Sequence, residues 1–155
     1  MKVMVGKGSC GIAAGASEVF DKLEAGLKNT KNCSLTVTGC IGLCFLEPIV
    51  NVENGSNKQI FVRVNSDGVK EILKYLKGEE NDVKRFAIQQ TDLNILQSQQ
   101  RVALVNCGII NPESIDEYIA HQGYKAIEKC VKELTPEKVI EEIKISGLRD
   151  RKSVV

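Results

Sequence analysis

Thr38-Gly39-Cys40-Ile41-Gly42-Leu43-Cys44 sets two thiols three residues apart on a stretch that holds two glycines. Thiolates at this spacing can bind one metal centre from a single loop. Glycine lets the backbone turn tightly, so both sulfurs and nearby N–H groups can face one point. Two ordinary loop cysteines would carry the same spacing. Cys10, in Gly8-Ser9-Cys10-Gly11, is a third candidate. It stands just ahead of a helical pattern, where a helix N-terminus favours a thiolate. Of the remaining cysteines, Cys33 starts a strand pattern and reads as pointing elsewhere. Cys130 lies beside Val131 and one turn from Ile127 and reads as packing, as does Cys107. His121, where a helix gives way at Gln122-Gly123, reads as a capping or solvated residue. No Ser–His–Asp or Cys–His pattern surrounds it, and Gly6-Lys7-Gly8 falls short of a phosphate loop.

Composition narrows the chemistry. The chain has 155 residues and six cysteines, no Trp, and 21 basic against 20 acidic residues for a net charge of +1. Nothing in that balance steers it to nucleic acid or an anionic membrane. No apolar run approaches the ~18 residues of a membrane span. Met1-Lys2-Val3-Met4-Val5 enters a strand pattern directly, without a signal-peptide pattern. The expected location is therefore cytoplasmic, where six cysteines indicate metal or redox chemistry more than a disulfide framework.

The elements that must position these thiols follow from periodicity. Lys2 to Val5 predicts a strand, and Ala16, Val19, Phe20, Leu23 and Leu27 predict one helical stripe. Leu35 and Val37 alternate with Ser34, Thr36 and Thr38 as a half-buried strand. Pro48 to Val52 and Ile60 to Val64 flank an Asn54-Gly55 turn as a hairpin. Ser66-Asp67 is the expected cap of a helix through Leu76 that stops near Gly78. The expected order is β-α-β-β-β-α over residues 1–80. Residues 81–100, rich in glutamine, predict a linker with one helical turn. Residues 101–155 predict a small helical segment, after an extended Arg101-Val102-Ala103-Leu104-Val105. Its helix starts are Asn111-Pro112-Glu113 and Thr135-Pro136-Glu137, and Gly147 ends the last helix. Arg149-Asp150-Arg151-Lys152 reads as a solvated charged tail.

On these motifs the chain resembles a known family. Gly8-Ser9-Cys10, Ser17-Glu18-Val19-Phe20 and Thr38 through Cys44 with Glu47-Pro48-Ile49-Val50 are similar to thioredoxin-like [2Fe-2S] ferredoxins. Asn106-Cys107-Gly108, Ser114 to Ala120, Gly123-Tyr124-Lys125-Ala126, Leu134 to Glu137, Val139 to Ile143 and Ser146 to Arg149 resemble another region. That region is the opening of the NADH-binding flavoprotein subunit of complex I-type NADH dehydrogenases and of NAD(P)-linked or electron-bifurcating hydrogenases. Hydrogenase-type versions carry a fused ferredoxin-like domain. The resemblance implies an α/β thioredoxin-like ferredoxin domain with a mixed sheet, followed by the helical segment. It implies a [2Fe-2S] cluster with Cys10, Cys40 and Cys44 as metal ligands.

Two departures from the family stand out. Its cluster takes four cysteines, and the place of the first falls at about Val5 or Gly6, neither of which supplies a thiolate. The family's glycine-rich FMN loop should follow Ser146-Gly147-Leu148-Arg149, whereas this sequence reads Asp150-Arg151-Lys152-Ser153. No FMN or NAD is expected in this stretch, and it is not expected to oxidise NADH alone. Three functions follow: an electron-transfer module of an NADH dehydrogenase or hydrogenase complex, a cluster-free docking module for subunit assembly, or a thiol–disulfide enzyme on Cys40 and Cys44. The expected partners are other subunits of such a complex, with a homodimer driven by exposed apolar surface on the helical segment.

Overall fold

Four short strands build the sheet that carries the cysteine loops. A computed structural model describes residues 1–28, 30 and 32–149; the Asp150 to Lys152 part of the charged tail lies outside them. By their contacts the described residues form two units, Met1–Glu117 and a second from Tyr118 onward. Among the described residues no helix is long and apolar enough to cross a membrane.

In the first unit the strands are β1 (Lys2–Gly6), β2 (Ser34–Thr38), β3 (Val50–Asn54) and β4 (Asn57–Phe61), in the order β2-β1-β3-β4. β1 and β2 run parallel, joined by a helical crossover, and the other two pairings are antiparallel. The sheet is mixed, as expected. The crossover holds two helices where periodicity predicts one: α1 (Ser9–Ala13) and α2 (Ala16–Leu27). Gly15, at φ 99°, breaks the chain between them, and α1 is too short to show a periodic stripe.

Alternation along the strands gives the sheet two apolar faces. Val3, Val5, Val50, Val52 and Phe61 pack with Val19 and Leu23 of α2 and with Val69, Ile72 and Leu76 of α3 (Ser66–Lys77). The cap of α3 is Asn65, not Ser66-Asp67. Its Oδ1 accepts from the Asp67 and Gly68 N–H groups, and a side-chain amide reaches those donors best from the residue just outside the helix. Gly78, at φ 73°, ends α3 where expected.

The other face carries Ile41, Leu43, Leu46, Ile49 and Val62, with Ile60, Ile88 and Leu96 against them. The chain beyond residue 80 covers this face. A 3₁₀ turn, Val83–Phe86, leads into hydrogen bonds from Val62 N–H to Phe86 O and from Ile88 N–H to Ile60 O. α4 (Gln90–Gln97) follows, two helical turns where one is expected. Arg101 to Val105 is bend and turn, not strand. The neighbouring β4 edge offers it no partner, because Phe86 and Ile88 already bond there.

The second unit continues α5 (Ile115–Ala120) and adds α6 (Lys125–Glu133) and α7 (Pro136–Ser146). α7 starts as expected, with Thr135 Oγ1 accepting from Lys138 N–H and proline at the first position. α5 starts three residues later than its Asn-Pro-Glu motif, because Asn111 Oδ1 spends itself on a local turn to Glu113 N–H and Ser114 Oγ takes the Glu117 N–H instead. Tyr118 and Tyr124 stack edge-to-face with centroids 5.0 Å apart. Cys130 is half-buried between exposed neighbours and is not a core residue.

Candidate metal centre

The parallel β1–β2 pair brings the two cysteine loops together. β1 delivers the chain into Gly6 to Gly8 and α1; β2 delivers it into Gly39 to Leu43 and a 3₁₀ turn, Cys44–Leu46. Lys7 N–H donates to Thr38 O at 2.9 Å, tying the two exits side by side. A methyl group on Gly8 would meet Cys40 Cβ at 3.0 Å and Cys40 N at 3.2 Å. Any larger residue there would have to push the Cys40 loop back by a few tenths of an ångström.

Cys40 Sγ and Cys44 Sγ stand 3.6 Å apart. A disulfide would require ~2.05 Å. Two thiolates on one tetrahedral metal, at ~2.3 Å each, would stand about 3.8 Å apart. The pair therefore fits one metal ion. Gly42, at φ 95°, turns its N–H back onto Cys40 Sγ at 3.3 Å, the kind of contact that stabilises a thiolate and tunes a cluster. Burial pushes the Cys40 thiol up from its ordinary range, and the Gly42 N–H opposes it. Cys44 is exposed.

Cys10 is the second residue of α1 and is also exposed. Among the described residues no three Cys, His, Asp or Glu side chains are gathered around one point, so Cys10 is not gathered with the pair. A [2Fe-2S] cluster has two irons with two protein ligands each. Its second pair of ligands therefore belongs beyond the reach of a single ion held by Cys40 and Cys44. The three thiols offer two donors at one place, Cys40 and Cys44, and a single donor, Cys10, elsewhere.

The place of the missing fourth thiol is filled differently. Val5 is fully buried in the core. A Cβ at Gly6 would stand 3.3 Å from both oxygens of the Glu47 carboxylate, a tight approach that the carboxylate must yield to by a few tenths of an ångström. Glu47 is 8% exposed, its Oε2 accepts the Ile49 N–H at 2.8 Å, and burial raises its pKa against that hydrogen bond. In the sequence Glu47 stands only as part of the Glu47-Pro48 motif, and nothing local announces a buried acid.

The other cysteines stay outside. Cys33 packs at the edge of the α2 side of the core, where burial raises its thiol pKa. Cys107 lies on the opposite face of the sheet, beside Gly108.

The fold defined by this geometry is that of the thioredoxin-like ferredoxins. A cysteine-to-serine variant of the thioredoxin-like [2Fe-2S] ferredoxin from Aquifex aeolicus matches 57% of this chain and 98% of its own, at TM-score 0.50 and 24% identity. The wild-type protein gives 0.48 at 24% identity, over 57% and 96%. The likeness is one of fold. In sequence, the chain is 51% identical over 53 residues to the NADP-reducing hydrogenase subunit HndC of Solidesulfovibrio fructosivorans. That covers 34% of the chain and 11% of the relative, so the chain spans about a tenth of the curated protein it matches. No protein-family model matches it.

Proposed function

We propose that this chain is an electron-transfer module of an NAD(P)-linked hydrogenase or NADH dehydrogenase complex. Cys40 and Cys44 would hold one iron of a [2Fe-2S] cluster, and Cys10 would reach the other. The observation that carries this reading is the 3.6 Å pair of sulfurs on a glycine loop, one of them receiving a backbone N–H. The likeness to a hydrogenase subunit supports the setting. When bound, such a cluster takes up and releases one electron at a time.

The residues around it have definable work. The Gly42 N–H offsets negative charge on Cys40 Sγ. The buried Leu43 and Leu46 limit water beneath the loop, which sets the local dielectric and hence the potential. Cys10 and Cys44 are exposed, and each has an exposed apolar residue nearby in sequence, Ile12 and Phe45. A partner protein docking on these side chains would bring its redox centre close without crossing the core. We place the protein in the cytoplasm, with residues 1–80 as the electron-carrying domain, 81–100 as a linker that packs back on its second sheet face, and 101–155 as the start of a flavoprotein-like region. We also infer a homodimer through the second unit.

The test is iron and acid-labile sulfide content, with absorption and EPR spectra, on protein reconstituted without oxygen. Two irons and two sulfides per chain, reducible by one electron and lost in Cys40→Ser, support the reading. Absence of stoichiometric iron and sulfide removes it.

A further inference from the structure

The peptide unit between Ile41 and Gly42 is hydrogen-bonded at both ends. Its N–H, that of Gly42, donates to Cys40 Sγ at 3.3 Å. Its carbonyl, that of Ile41, accepts from Arg101 Nη2, 60 residues further along the chain. A peptide unit is planar, with its C=O and N–H on opposite sides and electronically joined. A cationic donor on the oxygen draws electron density away from the nitrogen. The N–H then becomes a stronger donor to the sulfur, because hydrogen bonds in a chain polarise one another. Arg101 is thus linked to Cys40 Sγ through a single amide.

The arrangement is local and close. Gly42, at φ 95°, makes the turn that aims its N–H back at the sulfur. A methyl group on Gly42 would stand 3.7 Å from Arg101 Nη2, so the guanidinium lies in ordinary contact distance of the turn itself. The bond to Ile41 O is partly buried, where polarisation is screened less than in open water. Among the described residues Arg101 forms no ion pair, so no carboxylate offsets its charge there.

We propose that Arg101 is a positioning residue of the electron-transfer site. Through the Ile41–Gly42 peptide it holds and strengthens the N–H on Cys40 Sγ, and so raises the reduction potential of a cluster bound there. This rests on the cluster reading given above. Reduction brings one electron from a partner's redox centre, makes and breaks no bond, and leaves the cluster one charge more negative. A stronger N–H donor and a nearby cation both favour the more negative form. Arg101 stands at the head of residues 101–155, so the flavoprotein-like region sets the potential of the domain that precedes it.

The test uses the whole chain, reconstituted with iron and sulfide without oxygen, with the midpoint read by EPR-monitored redox titration. In Arg101→Gln the ratio of reduced to oxidised cluster at a fixed potential should fall at least threefold, a downward shift of ~28 mV or more for one electron. Arg101→Lys keeps the charge and a donor and should restore more than half of that shift. In the metal-free chain labelled with ¹⁵N, the Gly42 amide proton should move upfield in Arg101→Gln as its hydrogen bond weakens. An unmoved midpoint in loaded Arg101→Gln, or an unmoved Gly42 amide, would overturn the proposal. So would a midpoint in Arg101→Lys as low as in Arg101→Gln, which would make Arg101 a tether whose charge does nothing. A wild-type chain that takes up no iron and sulfide would instead remove the electron-transfer reading itself, and this proposal with it.

Discussion

Cys44 lies open to solvent, whereas Cys40 sits half-buried under the Gly8 backbone with its thiol pushed up by burial. A thiolate is the reacting form, so the two should not react alike. In metal-free protein iodoacetamide should modify Cys44 and Cys10 before Cys40, read by mass spectrometry of timed digests. Equal rates would mean the Cys40 loop opens freely. Glu47 makes the second residue-scale prediction. Its carboxyl has a pKa above the ordinary 4.5 because it is buried. The folded state then binds this proton more tightly than the unfolded chain. The stability so gained is complete below about pH 4.5 and is lost as pH rises through the raised value. Glu47→Gln keeps an oxygen acceptor for Ile49 N–H but has no proton to lose. The urea midpoint of the wild-type chain should therefore fall relative to Glu47→Gln as pH rises above about 4.5. Comparing the two proteins matters, because Glu18, Asp67 and Glu71 are shifted the opposite way by their lysine or backbone donors. The cysteine pair was legible in the sequence because glycine and spacing are local signals. Glu47 was not, since its burial depends on strands that meet only in the fold.

Among the elements, α1 shows how closely the cysteine loops are set. A methyl group on Gly11 would lie 2.3 Å from the Gly6 carbonyl oxygen, which is backbone. One on Gly26 of α2 would lie 2.3 Å from Leu73 Cδ1, the end of a side chain that can turn aside. Gly11→Ala should cost roughly 1–3 kcal/mol in urea unfolding, as overpacking does, and Gly26→Ala clearly less. The reverse order would mean that β1 and α1 can separate. Thr135-Pro136 and the closing glycines at 78 and 147 were readable because helix ends use side chains within three residues of the break. Arg101 to Val105 was misread for the opposite reason. Its β-branched residues suit a strand, but pairing is decided by which segment reaches the edge of β4 first in space, and that is Phe86 to Ile88.

At the scale of the whole chain, the second sheet face decides what can stand alone. Thr38 Oγ1 donates to Ile110 O, Arg101 to Ile41 O, and Phe86 and Ile88 bond along β4. Val83, which joins the core on the α2 and α3 side, and Ile110 are buried beyond residue 80, and each such side chain is worth roughly 1.5–3 kcal/mol. Together they approach the ~5–15 kcal/mol by which domains are stable at all. A chain cut after residue 80 would also bare Ile49 and Val62, so it should unfold at much lower urea than one cut after Glu117. The longer piece should keep the midpoint of the full chain. Beyond Glu117, Ile127 and Val131 on α6 are 60% and 79% exposed, and Ile140, Ile143 and Ile145 on α7 are exposed with them. Apolar rows of that kind on amphipathic helices seek cover. Sedimentation of the full chain should thus show concentration-dependent dimers, and residues 1–117 should stay monomeric. If the shorter piece dimerises equally, the contact lies on the sheet or the cysteine loops, and the apolar rows of α6 and α7 are not its cause.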